Sequence, residues 1–503
     1  MPPLNAVNDQ NPRQIAAEVL QHRRPGGGFT EDLLERALAR TRLSPVNRAL
    51  CQELVSGVVR WQAALDWLIA RKTDGREQKP GLQNLLRLGL YQIFWLNRIP
   101  EHAAVHETVE LAKRGGFGSQ AGFVNAVLRG YLREAEATKR LLAELKISQP
   151  ALGWSHPEWL IARWQKRWGA RKTAQLLEWN NTPPKTYARV SNLKFGGASV
   201  PANRLVSGLA PPTESGVHGV TRPTLKNTGD LLAQWRDENV EYDFVRRDWL
   251  EENLVFELKS HPPLASLTSF RNGWFYIQDP STLLAVTELN PWPGETILDF
   301  CAAPGGKTTF IAQLMNNQGR IVAQDVSEER LKLVRENCTR LGVTCVEFCR
   351  SRGDAAQNQL AICDLRFTNP PEERARKSSI VNPKSNRPSA IGHLQFDGIL
   401  VDAPCSNTGV MRRRVDLRWR IQPEEVSRLQ QTQLTLLEQA TPKLKPGGVL
   451  VYSTCSLEPE ENSEVVKEFL RGHEEFKLEI ERELLPFVDD VDGAFVARLK
   501  RLP

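Results

Sequence analysis

No run of about 18 consecutive apolar residues occurs in the chain, so nothing in it reads as a membrane span. The polar start, MPPLNAVNDQNPRQ, has no apolar core. No secretory signal is therefore expected, and the cytoplasm is the default compartment. Cysteine is sparse: eight in 503 residues, at 51, 301, 338, 345, 349, 363, 405 and 455. Their irregular spacing excludes a disulfide framework and points to reduced thiols in an intracellular enzyme. Paired CxxC motifs, or Cys pairs followed by paired His, are missing too, so no metal is expected, Cys345 and Cys349 notwithstanding. Two nucleotide signatures are also absent. Gly306-Lys307-Thr308 would need Gly in place of Cys301 to be a P-loop, and no GxGxxG fingerprint occurs.

What is present is a soluble composition, 41% hydrophobic and 25% charged, in a chain long enough for roughly two to four domains. The net charge of +7 suits a polyanionic partner without requiring one. Arg412, Arg413, Arg414, Arg418 and Arg420 surround Trp419. Cations beside an aromatic suit phosphate contact and base stacking; a solvated arginine-rich loop is the alternative.

Residues 1–135 read as all-helical. Apolar stripes run through Leu33, Leu34, Ala37 and Leu38, and through Leu85, Leu86, Leu88, Leu90 and Ile93, punctuated by Pro45, Pro80 and Pro100. Residues 136–265 contain linker helices, with Trp164 and Trp168 on one amphipathic face, and a small connecting α/β subdomain. Residues 266–503 alternate strands and helices, which predicts an α/β Rossmann-like domain with a doubly wound, mostly parallel sheet. A polar, Pro/Ser-rich stretch at about 356–394 reads as a flexible insertion.

In such a sheet ligands bind at the carboxyl ends of the strands. The first strand ends in Asp299-Phe300-Cys301-Ala302-Ala303-Pro304-Gly305-Gly306-Lys307-Thr308, a turn whose glycines let the backbone approach a ligand. Asp325, at the end of the next strand, is placed to accept the two hydroxyls of a ribose. An adenosine pocket without a pyrophosphate cradle fits S-adenosyl-L-methionine. Asp354 is expected on the adenine side, with Asp364 as its competitor.

Two more strands end in Val401-Asp402-Ala403-Pro404-Cys405 and Tyr452-Ser453-Thr454-Cys455-Ser456. A single strand-end cysteine is ordinarily a buried small hydrophobe. Two thiols beside a methyl donor point instead to methylation of cytosine C5, a poor nucleophile until a thiolate adds to C6. Asp402 is the candidate acid at N3.

These motifs resemble those of the RNA cytosine-5 methyltransferases of the NOL1/NOP2/Sun family, through most of 270–503. The resemblance implies that Cys455 is the nucleophile and that Cys405 assists product release. It also implies that Lys307 lies near the reacting base, with Cys301, Ala302, Ala303, Pro304, Gly305, Gly306, Lys307, Asp325, Asp354 and Asp402 around the cofactor. Val105-His106-Glu107-Thr108-Val109-Glu110-Leu111-Ala112-Lys113 and Phe123-Val124-Asn125-Ala126-Val127-Leu128-Arg129 are similar to the NusB-type RNA-binding helical domain. Joined to this catalytic core, it is similar to the bacterial Sun/RsmB type, which implies a monomeric class I methyltransferase acting on 16S ribosomal RNA. The same chemistry on tRNA or 23S rRNA, and a non-catalytic RNA-binding assembly factor, are the alternatives. Ala494-Phe495 departs from the family's aromatic pair and is expected to be a packing change.

Overall fold

The computed structural model describes residues 11–23, 27–193, 228–350 and 394–503. Asp354, Asp364 and all of the expected insertion except Leu394 lie outside the described residues. The chain divides into two compact units, Met1–Pro184 with Val410–Gln422, and Lys185–Gly409 with Pro423–Pro503.

The first unit is helical. Helices Pro12–His22, Pro45–Arg60 and Pro80–Trp95 each start on a proline, whose missing N–H costs nothing in a first turn. Asn11 and Ser44 cap the first two through their side chains, accepting from Arg13 N at 2.9 Å and Asn47 N at 3.3 Å. The apolar stripes close on one core that includes Leu54, Val58, Leu65, Leu86, Leu90, Val124 and Leu128. Trp164 is buried on helix Glu158–Asn181, whereas Trp168 is half-buried next to the break at Gly169.

The arginine-rich segment is part of this unit, and neither of its expected roles applies to its centre. Arg418 is fully buried: Nη1 donates to Asn181 Oδ1 at 2.7 Å and Nη2 to Asn180 O at 3.0 Å. Trp419 Nε1 donates to Val59 O at 2.9 Å, and Asp416 accepts from Thr30 N at 2.9 Å. Arg412 is buried with its guanidinium 3.8 Å from the Trp179 ring centroid. These groups staple the segment to helix ends and loops whose carbonyls would otherwise be buried unpaired.

The second unit holds two sheets. The smaller is antiparallel, in the order β2-β3-β1-β4, from β1 (Thr186–Val190), β2 (Glu241–Phe244), β3 (Val255–Ser260) and β4 (Phe275–Ile277). Trp235 sits in its core, in edge-on contact with Phe256 and Phe275.

The larger sheet comprises β5 (Thr296–Phe300), β6 (Arg320–Asp325), β7 (Val346–Arg350), β8 (Phe396–Asp402), β9 (Leu444–Thr454), β10 (Phe476–Leu484) and β11 (Ala494–Arg501). Their order is β10-β11-β9-β8-β5-β6-β7. The pairs from β9 to β7 are parallel, and β11 and β10 add an antiparallel edge, so the sheet is mostly parallel as expected. Strand order reverses at β5, which opens a crevice at the carboxyl ends of β5 and β8. Helix Glu328–Leu341 is capped by Ser327 Oγ, which accepts from Arg330 N. Ala494 and Phe495 are buried in β11, where Phe495 meets the Tyr452 ring edge-on. Cys51, Cys301, Cys338, Cys345, Cys405 and Cys455 are free thiols. Cys349 is disulfide-bonded, against the expectation of reduced thiols.

Candidate active site

β5 ends at Phe300 and the chain turns at once, with φ of 72° at Cys301 and 102° at Gly305. The turn is tied to β6: Ala302 N donates to Gln324 O at 2.8 Å and Ala303 N to Asp325 Oδ2 at 3.3 Å. A Cβ at Gly305 would lie 3.0 Å from Val334 Cγ1, and one at Gly306 2.8 Å from Gln278 Oε1. Glycine at both positions lets the loop pack close against Val334, Gln278 and Tyr276. Helix Gly306–Leu314 follows, so Lys307 stands in its first turn.

Two carboxylates flank this loop. Asp325 is buried and also accepts from Ser327 N at 3.1 Å. Asp299, which the motif contains but which was not assigned a role, is fully buried. Its Oδ2 accepts from Thr308 Oγ1 at 2.6 Å, while Oδ1 has no hydrogen-bond partner among the described residues. Burial pushes its pKa up to about 7, against the Thr308 hydrogen bond and with help from nearby Asp402. An acceptor left open in this way suits a ligand's cationic donor.

The thiols come together through strand register. β8 and β9 pair in parallel with Asp402 opposite Ser453, and Ala403 N donates to Ser453 O at 2.9 Å. Cys405 lies three residues beyond the end of β8 and Cys455 one residue beyond the end of β9. Their sulfurs are 3.2 Å apart, and Cys455 N donates to Cys405 Sγ at 3.4 Å. Cys455 Sγ also donates to Asn407 Oδ1 at 3.1 Å. Cys405 is buried, whereas Cys455 is partly exposed. The hydrogen bond that the Cys405 thiol donates to Cys455 and burial hold the Cys405 pKa well above the ordinary thiol range, with the charges of Cys455 and Glu461 adding to the rise. Of two thiols in contact, ionising one disfavours ionising the other.

Lys307 Nζ donates to Asp402 Oδ2 at 2.7 Å, and Asp402 Oδ1 accepts from Ser453 Oγ at 3.0 Å. Burial alone would lower the Lys307 pKa, but the charge of Asp402 and its hydrogen bond outweigh it and raise the value. The proton of this pair therefore resides on Lys307. Burial pushes Cys301 up to about 12, which keeps it an inert thiol of the loop.

Asn407, Glu461 and the serines after each cysteine were missed from the sequence. The Cys-Ser dipeptide occurs at both 405–406 and 455–456, and that repetition was the available signal.

Residues 286–369 and 375–500 match the family described as 16S rRNA methyltransferase RsmB/F. Residues 10–133 match the NusB family, and 156–202 match the ferredoxin-like domain of RsmF/B-like methyltransferases. The probable ribosomal RNA small subunit methyltransferase B of Bacillus subtilis is 32% identical over 97% of this chain and 98% of its own length. Ribosomal RNA small subunit methyltransferase B of Klebsiella pneumoniae is 33% identical over 97% and 98%. Among solved structures, PH0851 matches with a TM-score of 0.68 at 22% identity, covering 97% of this chain and 99% of that one, a likeness of fold alone. A methyltransferase homolog from Pyrococcus horikoshii matches with a TM-score of 0.50 at 27% identity, over 70% of this chain and 97% of that one. With full-length relatives above 30% identity and its helical, connecting and catalytic segments all matched, the chain belongs to the RsmB/F family of 16S rRNA methyltransferases.

Proposed function

We propose that the chain methylates carbon 5 of one cytosine in 16S ribosomal RNA in the cytoplasm, with S-adenosyl-L-methionine as donor and a covalent Cys455–C6 intermediate. The observation that carries this reading is the 3.2 Å approach of Cys405 and Cys455, at strand ends shared with the Lys307–Asp402 pair. The names of the relatives favour the small-subunit RNA over tRNA or 23S rRNA.

The residues present fit the donor. Asp325 would hold the ribose hydroxyls, and Asp299 Oδ1 has acceptor capacity to spare for an ammonium group. When bound, the donor supplies an electrophilic sulfonium methyl group.

Cys455 Sγ, as thiolate, adds to C6 of the ring, and the electron pair of the C5–C6 double bond is released toward C5 and N3. The Lys307 ammonium, held by Asp402, provides the proton at N3 that the sequence alone had assigned to Asp402. C5, now enamine-like, takes the methyl group as the sulfonium carbon–sulfur bond breaks and its electron pair stays on the departing thioether, and N3 returns its proton to Lys307. Once Cys455 is alkylated, its hydrogen bond and charge no longer raise the Cys405 pKa. Burial and the Glu461 charge still raise it, but without the Cys455 contribution the Cys405 thiol can pass its proton to water, and the thiolate then removes the C5 proton. The C5–H electron pair re-forms the double bond and expels the Cys455 thiolate.

Bisulfite sequencing of rRNA and tRNA from a deletion strain tests the reading. Loss of one 5-methylcytosine from 16S rRNA is expected. Loss from tRNA or 23S rRNA would move the substrate, and no loss, with S-adenosylmethionine binding intact by calorimetry, would favour a non-catalytic assembly factor.

A further inference from the structure

We infer that Glu461 is a positioning residue that holds the two thiol loops in register, so that attack by Cys455 and release by Cys405 can follow one another. The inference rests on the two-thiol reading above.

The residue after each cysteine is a serine, and both serines turn inward. Ser406 N donates to Glu461 Oε1 at 2.8 Å, and its hydroxyl donates to Oε2. Ser456 Oγ donates to the same Oε2 at 2.5 Å, and the two hydroxyls are 3.0 Å apart. Gln433 Nε2 donates to Oε1 at 3.1 Å and to Pro404 O at 2.9 Å, so it grips both the carboxylate and the residue before Cys405. Glu461, Ser456 and Gln433 are fully buried.

The turn bearing Glu461 is itself pinned to the end of β9. Tyr452 OH donates to Glu461 O at 2.6 Å, and Asn462 Nδ2 donates to Ser456 O at 2.9 Å. A buried carboxylate with all these donors aimed at it is a rigid hub. Among the described residues, neither Cys405 nor Cys455 hydrogen-bonds Glu461, yet each is followed in sequence by a serine that does. Burial raises the Glu461 pKa against the hydrogen bonds from Ser406 and Ser456. The hub therefore depends on donors that any loop movement would remove.

The experiment compares wild type, Glu461→Gln, the double variant Ser406→Ala/Ser456→Ala, and Cys405→Ser, on 16S rRNA with S-adenosylmethionine. For Glu461→Gln and the double variant, kcat is expected to fall about 10- to 100-fold, the equivalent of one lost charge-assisted hydrogen bond. KM for S-adenosylmethionine should stay within about twofold, because the cofactor loop is untouched. The protein–RNA adduct should build up on a denaturing gel above the wild-type amount. Normal turnover without adduct in both variants would overturn the inference. A fall in cofactor binding and thermal stability parallel to the fall in kcat would also overturn it, since that is what general loosening produces. If Cys405→Ser itself traps no adduct, the two-thiol reading fails; if it does and the Glu461 variants behave as wild type, only the Glu461 inference fails.

Discussion

Cys405 Sγ lies 3.2 Å from Cys455 Sγ across a sequence separation of 50 residues, and Asn407 Oδ1 accepts from Cys455 at 3.1 Å. The two thiols differ in surroundings: Cys405 is buried with a raised pKa, and Cys455 is partly exposed.

That asymmetry assigns different failures to the two cysteines. Cys455→Ser is expected to abolish methyl transfer while leaving S-adenosylmethionine affinity unchanged by calorimetry. Cys405→Ser is expected to complete the transfer and stall, leaving an RNA–protein adduct that survives a denaturing gel. Cys405→Ser turning over at the wild-type rate without adduct would refute the division of roles.

Lys307→Met should lower kcat by about 100-fold, the usual worth of a placed proton donor. Because the folded-state pKa of Lys307 is raised, the stabilising contribution of its ion pair with Asp402 is fully present below the ordinary lysine value. It is lost only as pH rises through the raised value. The kcat profile of the wild type should accordingly show no alkaline limb from Lys307 below about pH 10.

Asp299 has the opposite sign from most carboxylates. Its pKa of about 7, raised by burial, exceeds its unfolded value, so the folded state binds the extra proton. Stability of the ligand-free protein should fall as pH rises from about 4 to about 7, and Asp299→Asn should flatten that slope. Thermal unfolding between those pH values measures it; a wild-type slope unchanged by the substitution would show that another group titrates.

Arg418→Ala is expected to destabilise the helical unit by about 3–5 kcal/mol, through the cavity and the buried acceptors left unpaired. Its groups bond Asn180 O and Asn181 Oδ1. An arginine whose business was RNA phosphate would lower RNA affinity in a salt-dependent way and leave the melting temperature alone. Melting curves and RNA titration of one variant separate the two.

Part of the site was legible because it is local. Gly305 at a positive φ, the capping serine at 327 and the run of buried strand residues before Asp299 and Asp402 act within a few residues of one another. The arginine-rich segment misled for the complementary reason. Arg418 and Arg412 have the composition of a nucleic-acid contact, and only the packing of distant helices shows their cations turned inward. Glu461 escaped notice because a glutamate in Pro459-Glu460-Glu461-Asn462 looks like solvated charge until four donors are seen around it.

The sequence by itself determined the strand–turn–helix units, the glycine turn and the placing of two cysteines at strand ends, since periodicity and turn chemistry operate over neighbouring residues. Only the tertiary structure decided which groups meet. The register of β8 on β9 brought the two sulfurs together, burial raised the pKa of Asp299, and contact with Cys455 together with burial raised that of Cys405. Register and burial are sums over contacts between residues far apart in the chain, and no local pattern carries them.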